Sequence, residues 1–331
     1  MSELNFLREI STKKKSLIDY SNLKDNLFPC QNLETNKTEI NNIFNSPEKG
    51  LPILFLTNLP FFKYRKNSEF KVNSMKILEK IFLTNNKKYP PFQNYTNSEE
   101  KFVINLKVKK EYEDIITKIS NFNKKSIDEI KKINSKFKET CAFQTRNIPH
   151  LGHEKIIENL LKKFDHVVVN PLIGPKKMGD VKFDVLKQSY DYVINNKFKN
   201  KVTYIPIIAN MFYAGPREAI HHANLRKSLG FKNFVVGRDH AGAFDNYKPL
   251  DAYKLVSKYK NKLNINIINL KGAYHCKDCK KIVINFSCKH KNYENISGTQ
   301  FRKKLNNKKM FVFADKLMQK KLHKIKTKIF E

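Results

Sequence analysis

Apolar runs long enough to cross a bilayer are missing from this sequence. The longest, residues 51–56, falls far short of the roughly 20 residues a membrane helix requires, so no membrane span is expected. Residues 1–17 carry charges throughout and hold no apolar core of the kind a secretory signal needs, which makes a cytoplasmic protein the expectation. Cysteine is scarce. Cys30, Cys141, Cys276, Cys279 and Cys288 form no even disulfide framework, and three of the five cluster. Acidic residues are in the minority, with 31 Asp and Glu against 64 Lys and Arg, for a net charge of +33. Such an excess ordinarily points to nucleic acid or an anionic membrane surface. Here the lysines are scattered among Asn and Ile along the whole chain, so nucleic acid is not expected as a partner, although the positive field would still draw in small multivalent anions. No G-x-x-x-x-G-K-[ST] phosphate loop occurs.

What is present describes a globular chain. Its 331 residues suggest two domains at a soft prior of about 150 residues each, and the 40% hydrophobic content includes 25 Phe and 14 Tyr. Residues 1–138 form an N-terminal part in which 51–56 and 102–108 look like strands, 110–137 suits helices and 85–98 suits an exposed loop; no chemistry is visible there. From Thr140 onward short apolar segments alternate with amphipathic ones. Strands are predicted at 141–143, 166–170, 202–208, 233–236 and 265–268, with helices beginning near His150, Lys182, Pro216 and Leu250. The alternation predicts an α/β fold, a Rossmann-like core with a parallel sheet and right-handed crossovers. Ligands of such sheets sit beyond the carboxyl ends of the strands, and the polar signatures fall there.

The first signature is Gln144-Thr145-Arg146-Asn147-Ile148-Pro149-His150-Leu151-Gly152-His153. It places an amide, a hydroxyl, a guanidinium and two imidazoles at a helix start, where unpaired N–H groups and the dipole favour a bound anion such as phosphate. Any one of these residues alone would read as a solvated side chain; the H-x-G-H pattern with four polar residues upstream does not. The second, Gly237-Arg238-Asp239-His240-Ala241-Gly242, follows a strand directly, and its glycines permit close backbone approach to a ligand. Residues 211–219 read as a loop entering a helix at Pro216, where Arg217 and Glu218 suit a well-built helix start nearly as well as a direct role. Residues 296–303 repeat the strand-to-helix pattern, with Ser297 or Thr299 as cap and Arg302 exposed one turn later. Cys276, Cys279, Cys288 and His290 supply three thiolates and an imidazole within fifteen residues, enough for a closed tetrahedral structural zinc site, with His275 a competing fourth ligand.

In their order, Q-T-R-N-x-x-H-x-x-H, M-x-x-A-G-P-x-E-A, G-R-D-H-A-G and I-S-G-T-x-x-R resemble the motifs of sulfate adenylyltransferases, also called ATP sulfurylases, across roughly residues 140–310; Pro171-Leu-Ile-Gly174 with Gly179-Asp180 resembles the same family. The resemblance implies a nucleotidylyltransferase core at 139–310 in which sulfate attacks the α-phosphorus of ATP, giving adenylyl sulfate and pyrophosphate reversibly. Carried over by position, Thr145, Arg146, Asn147, His150 and His153 would be catalytic. Gln144, Arg146 and the backbone of Ala241 would bind sulfate, and Gln144, Asn147, His150, His153, Gly237, Arg238, Asp239 and His240 would hold the nucleotide. Mg²⁺ would accompany ATP, and some shorter members resemble this chain in carrying a zinc knuckle, here at 275–290. The family also implies an N-terminal domain related to the PUA fold, whose usual motifs are absent from 1–138, so that domain is expected to be divergent. Residues 311–331 are expected as a C-terminal helical tail, no fused adenylyl-sulfate kinase is expected without a phosphate loop, and a homo-oligomer is compatible with the family. The direction in which the cell runs the reaction is open. Competing readings are another H-x-G-H nucleotidylyltransferase or a class I aminoacyl-tRNA synthetase-like protein, and a non-catalytic basic RNA-binding module; neither explains both 144–147 and 237–242.

Overall fold

The computed structural model describes residues 14–70, 75–92, 101–238, 240, 246–325 and 329–331. Asp239 and Ala241 of the second signature lie outside the described residues, as do residues 93–98 of the expected loop and residues 1–13 at the start.

Five strands form one parallel sheet: β1 (Thr140–Phe143), β2 (His166–Val169), β3 (Val202–Tyr204), β4 (Asn233–Val236) and β5 (Asn266–Asn269). Their spatial order is β5-β4-β1-β2-β3. The pairs run parallel throughout, in register Phe143↔Val169, Val169↔Tyr204 and Val236↔Asn269. β1, β2 and β4 are buried along their whole length, which explains why they read as unbroken apolar runs: a sheet covered on both faces needs no polar alternation. Successive side chains still point to opposite faces. Ala142, Val168, Phe234 and Val236 enter one hydrophobic cluster, whereas Cys141, Phe143, Val167, Val169 and Val235 enter another.

The first face is covered by α1 (Lys15–Lys24) and α2 (Glu113–Lys136), through Leu17, Tyr20, Ile116 and Ile130, and by α5 (Pro216–Ser228) and α6 (Asp251–Tyr259), through Ala223, Leu225 and Val256. The opposite face is covered by α3 (Leu151–Leu160) and α4 (Phe183–Lys197), and by α7 (Gly298–Asn306) and α8 (Lys316–His323) near the end of the chain. The α/β architecture with a parallel sheet is therefore as expected. Helices from before residue 139 roof the sheet directly, so packing crosses the change of sequence pattern at that point. Among the described residues of this first part, the strands are two residues long.

Three strand expectations need correction. Residues 102–108 form two short strands, Phe102–Val103 and Lys107–Val108, in different sheets, because Asn105 adopts a left-handed backbone, φ 53°, which turns the chain between them. Of residues 51–56 only Phe55–Leu56 pairs as a strand. Residues 202–208 divide at Pro206, which has no N–H to give to a ladder: β3 lies in the main sheet, while Ile207–Ile208 pairs in parallel with Leu172–Ile173. The helical stretch at 110–137 is a single long helix, α2.

The sheet changes its winding direction between β1 and β4. The chain builds β1, β2 and β3 outward on one side, then returns past β1 to lay down β4 and β5 on the other. Loops leaving the carboxyl ends of β1 and β4 must then diverge and leave a crevice, which is where such sheets bind ligands. Beyond β5, β6 (Ala273–Cys276), β7 (Ile282–Ile284) and β8 (Tyr293–Asn295) form a small antiparallel sheet, order β7-β6-β8, carrying the cysteine cluster. No helix among the described residues is long and apolar enough to cross a membrane.

Candidate active site

At the crevice lies a cavity of about 580 Å³, within the roughly 300–1,000 Å³ typical of small-molecule sites. Arg146, Asn147, His150 and His153 from the β1 loop and α3 line it, together with Arg238 and His240 after β4, Lys248, and Ser297, Gly298, Thr299 and Arg302 at the start of α7. Its described walls include the cations Arg146, Arg238, Lys248 and Arg302 and no carboxylate. The chemistry of the space is that of an anion site.

His150 is the N-cap of α3, its Nδ1 accepting the backbone N–H of His153 at 3.4 Å. With Nδ1 as acceptor, the proton of the neutral ring belongs on Nε2. The two imidazoles stack, centroids 3.9 Å apart and planes 17° from parallel. Gly152 makes this possible, since a Cβ there would stand 3.0 Å from the His150 ring and 3.3 Å from Ala273 Cβ. Burial holds both rings neutral: His150 is pushed well below the ordinary histidine value, with the neighbouring His153 a lesser cause, and His153 is lowered to about 4. A cluster that refuses protons in isolation accepts them more readily once an anion sits beside it.

Upstream, Thr145 Oγ1 accepts the N–H of Asn147 at 3.1 Å and folds the loop back on itself. Asn147 Oδ1 in turn accepts from Arg302 Nη1, joining the β1 loop to α7. Arg302 is thus not exposed as expected; its side chain keeps 17% of its exposure and turns into the cavity, because helix α7 docks with its capped first turn against Asn147. Arg146 approaches the buried carboxylate of Asp180 at 3.6 Å and lies over the Tyr213 ring. Gln144 and Thr145 stand behind the wall rather than in it; Gln144 Nε2 is 3.8 Å from Met211 Sδ, and its Oε1 is buried without a hydrogen-bond partner among the described residues.

On the β4 side, Arg238 Nη1 donates to Asn295 Oδ1 at 3.0 Å and to the Tyr274 hydroxyl at 3.3 Å, so the small antiparallel sheet carries it. Gly237 is at the root of the same loop. His240 Nε2 meets His222 Nδ1 at 3.0 Å, and His222 Nε2 is 3.3 Å from Glu218. Glu218 accepts the backbone N–H groups of Phe212 and Ala214 at 2.8 Å each, and burial raises it to about 7. Arg217 faces away from the site. It is fully buried and donates to the carbonyls of Ile43, Phe44, Gly50 and Lys80, tying α5 to the N-terminal part.

A second constellation lies on the small sheet. The donor atoms of Cys276, Cys279, Cys288 and His290 lie within 4.8 Å of one another. Cys279 Sγ is 3.7 Å and Cys276 Sγ 3.9 Å from Cys288 Sγ, and Cys276 Sγ is 3.6 Å from His290 Nδ1. Zinc–sulfur bonds of ~2.3 Å at tetrahedral angles would set sulfurs about 3.8 Å apart, so the sulfur spacings suit that ion, while Cys288 Sγ and His290 Nδ1, 2.9 Å apart, would have to separate slightly to share it. The alternative ligand, His275, is instead 3.6 Å from Glu294 and packs on Phe313.

A family model described as ATP-sulfurylase matches residues 123–324, more than half of the chain. The chain belongs to the ATP-sulfurylase family. It is 34% identical over 243 residues to the sulfate adenylyltransferase of Carboxydothermus hydrogenoformans, covering 71% of this chain and 63% of that protein. It is 41% identical over 170 residues to the enzyme of Staphylothermus marinus and 40% identical over 169 residues to that of Pyrococcus abyssi, in each case over 50% of this chain and 44% of the relative. The chain thus spans between under half and under two thirds of the length of these curated relatives. Among solved structures, a hexameric APS kinase from Thiobacillus denitrificans aligns at TM-score 0.48 and 11% identity, over 68% of this chain and 43% of that one. Family membership leaves the synthetase-like and RNA-binding readings without support. Motif reasoning missed Asp180, Tyr213, His222 and Lys248 as neighbours of the site. Asp180 carried a signal in the Gly179-Asp180 pair and Tyr213 in the segment 211–219, whereas His222 and Lys248 carried none.

Proposed function

We propose that this chain is a sulfate adenylyltransferase that joins sulfate to the α-phosphorus of ATP, releasing pyrophosphate. One observation carries the reading: a cavity at the sheet's switch point whose described walls hold four cations and no carboxylate, built from the loops that bear the family's motifs. Sulfate has no proton to lose at neutral pH, so attack needs no general base. Catalysis rests on in-line positioning and on donors aimed at charge growing on phosphorus and on the departing pyrophosphate. Arg146 would hold sulfate in the cavity, with the backbone of Ala241, and Gln144 would join them by turning its side chain in from behind the wall. Thr145 shapes the loop, and Asn147 and Arg302 tie that loop to α7. His150 and His153, neutral in isolation, would donate to the triphosphate and take on charge as it builds there, while Gly237, Arg238, Asp239 and His240 would cradle the nucleotide. Mg²⁺ would enter with the substrate as MgATP. Residues 139–310 would form the catalytic core. Cys276, Cys279, Cys288 and His290 would hold a structural zinc ion, which supplies a crosslink beneath Tyr274 and Asn295 and hence beneath Arg238.

Molybdate mimics sulfate but gives an unstable anhydride, so the purified protein should cleave ATP to AMP and pyrophosphate only when molybdate is added. Arg146→Ala should abolish that cleavage while circular dichroism stays unchanged. Folded wild-type protein that neither cleaves ATP with molybdate nor forms ATP from adenylyl sulfate and pyrophosphate would overturn the reading.

A further inference from the structure

Asp180 lies outside the cavity wall, yet Arg146 of the β1 loop and Arg302 of α7 both reach it from the site. The residue is fully buried. Oδ2 accepts the Tyr213 hydroxyl at 2.9 Å and is 3.6 Å from Arg146 Nη1; Oδ1 is 3.5 Å from Lys177 Nζ and 4.0 Å from Arg302 Nη1. Arg146 comes from the β1 loop, Arg302 from α7 and Tyr213 from the loop before α5, so three separate segments meet on one carboxylate, joined by Lys177 of its own loop. Its backbone is pinned as well: Asp180 O accepts from Glu331 N at 2.9 Å, Gly179 N donates to Glu331 O at 3.3 Å, and Val181 bridges Phe330. A group so constrained cannot follow its partners. They must come to it.

We propose that Asp180 is a positioning residue for adenylyl transfer, the buried counter-charge that holds Arg146 and Arg302 side by side in one anion site. Two guanidiniums converging on the same cavity repel each other, and each would swing toward solvent or toward whichever anion arrived first. The balance of charges on Arg302 reflects this: burial lowers its pKa most, Arg146 lowers it further, and Asp180 raises it again. With Asp180 between them, both arginines are set before substrate enters, and neither must reorganise as charge develops. The carboxylate costs the site part of its positive charge, which weakens ground-state anion binding while improving alignment.

This role rests on the proposed reaction and has a distinct signature. Asp180→Asn keeps the shape and an acceptor for Tyr213 but removes the charge. Molybdate-dependent ATP cleavage by the full-length protein should lose at least about tenfold in kcat, in line with the ~100-fold that a misplacement of about 1 Å can cost. The KM values for molybdate and MgATP should stay level or fall, because the site becomes more positive. A purely structural role would instead lower the folded fraction without moving KM downward. In a double-mutant cycle with Arg302→Ala, the combined loss should fall clearly short of the product of the two single losses, since part of the effect of Asp180 passes through that arginine and the rest through Arg146. Wild-type kcat in Asp180→Asn, or fully additive losses in the cycle, overturn the proposal and leave the reaction standing. Inactive wild-type protein overturns the reaction and this role with it. If Asp180→Asn does not fold, Tyr213→Phe takes its place, since it removes the phenol that fixes Oδ2 beside Arg146: a fall in kcat of threefold or more at constant KM supports the proposal, and unchanged kcat overturns it.

Discussion

A single methyl group at Gly298 tests the join between the two halves of the site. Gly298 is the first residue of α7, behind its cap Ser297, whose hydroxyl accepts from Gln300 N. A Cβ at this position would stand 2.7 Å from Asn147 Cγ, 2.9 Å from Nδ2 and 3.0 Å from Oδ1. Carbon atoms prefer separations of ~3.5 Å or more, so Asn147 would have to retreat by about 0.8 Å. Its Oδ1 holds Arg302, and its N–H is bound by Thr145, so the displacement passes to both the α7 arginine and the β1 loop. Overpacking typically costs ~1–3 kcal/mol. Alanine regains up to about 1 kcal/mol over glycine in a helix, less at the first turn. Global stability should therefore fall by no more than about 3 kcal/mol, while turnover, which depends on alignment near 1 Å, should fall by roughly 100-fold. Pyrophosphate release with molybdate and thermal melting, measured on the same Gly298→Ala preparation, separate the two effects. Wild-type turnover in a folded variant would show that Asn147 and Arg302 need not meet, and the account of how the loop is held would be wrong.

Other expectations concern parts of the fold with different jobs. Arg217→Ala leaves three buried carbonyls and one part-buried carbonyl without their donor and should cost about 3–5 kcal/mol in urea denaturation, with turnover per folded molecule retained; lost turnover at full stability would move Arg217 into the site. Purified protein should contain one zinc per chain, and Cys279→Ala should release it and weaken MgATP binding through Arg238; a zinc-free protein with unaltered melting and MgATP affinity would count against the knuckle's role. Acidification should destabilise the fold. Burial lowers His153 to about 4, His221 to about 3, and His150, His222 and His240 well below 6.5, so the folded state binds fewer protons than the unfolded one; their contribution is present above about pH 6.5 and is lost as pH falls toward the folded values. Glu218 and Asp19, raised to about 7 by burial, act oppositely, their contribution being fullest below their unfolded values and lost as pH rises through 7. Each group is worth about 2 kcal/mol between pH 7 and 5, and five histidines outweigh two carboxylates. A melting temperature that rises on going from pH 7 to 5 would contradict this.

The local pattern carried much of the architecture. β4 is predicted at the residues where it forms, and Leu151–Leu160 begins where the H-x-G-H pattern places it, because strands buried on both faces and capped helices write their periods directly into the chain. Departures came where one residue overrode a run: Asn105 with its left-handed backbone, and Pro206 with no N–H. For the site, Arg146, Asn147, His150, His153, Arg238 and His240 converge on one cavity as their positions after β1 and β4 suggest. The cluster of Cys276, Cys279, Cys288 and His290 was legible because its spacing within one small sheet is nearly local, whereas only the register that turns His275 toward Glu294 set that histidine apart from the cluster.

What the sequence by itself determined is the set of chemical parts and the strands and helices that carry them, since both depend on residues adjacent along the chain. The tertiary structure alone decided how the parts face one another. Strand order β5-β4-β1-β2-β3 sets the loop after β1 beside the loop after β4. Docking of α7 against the β1 loop turns Arg302 inward, and burial of Asp180 among side chains from three other segments and its own loop makes it the centre of the charges. Such contacts span up to 155 residues of chain. No period or local propensity encodes them, because they follow from which faces must be buried together.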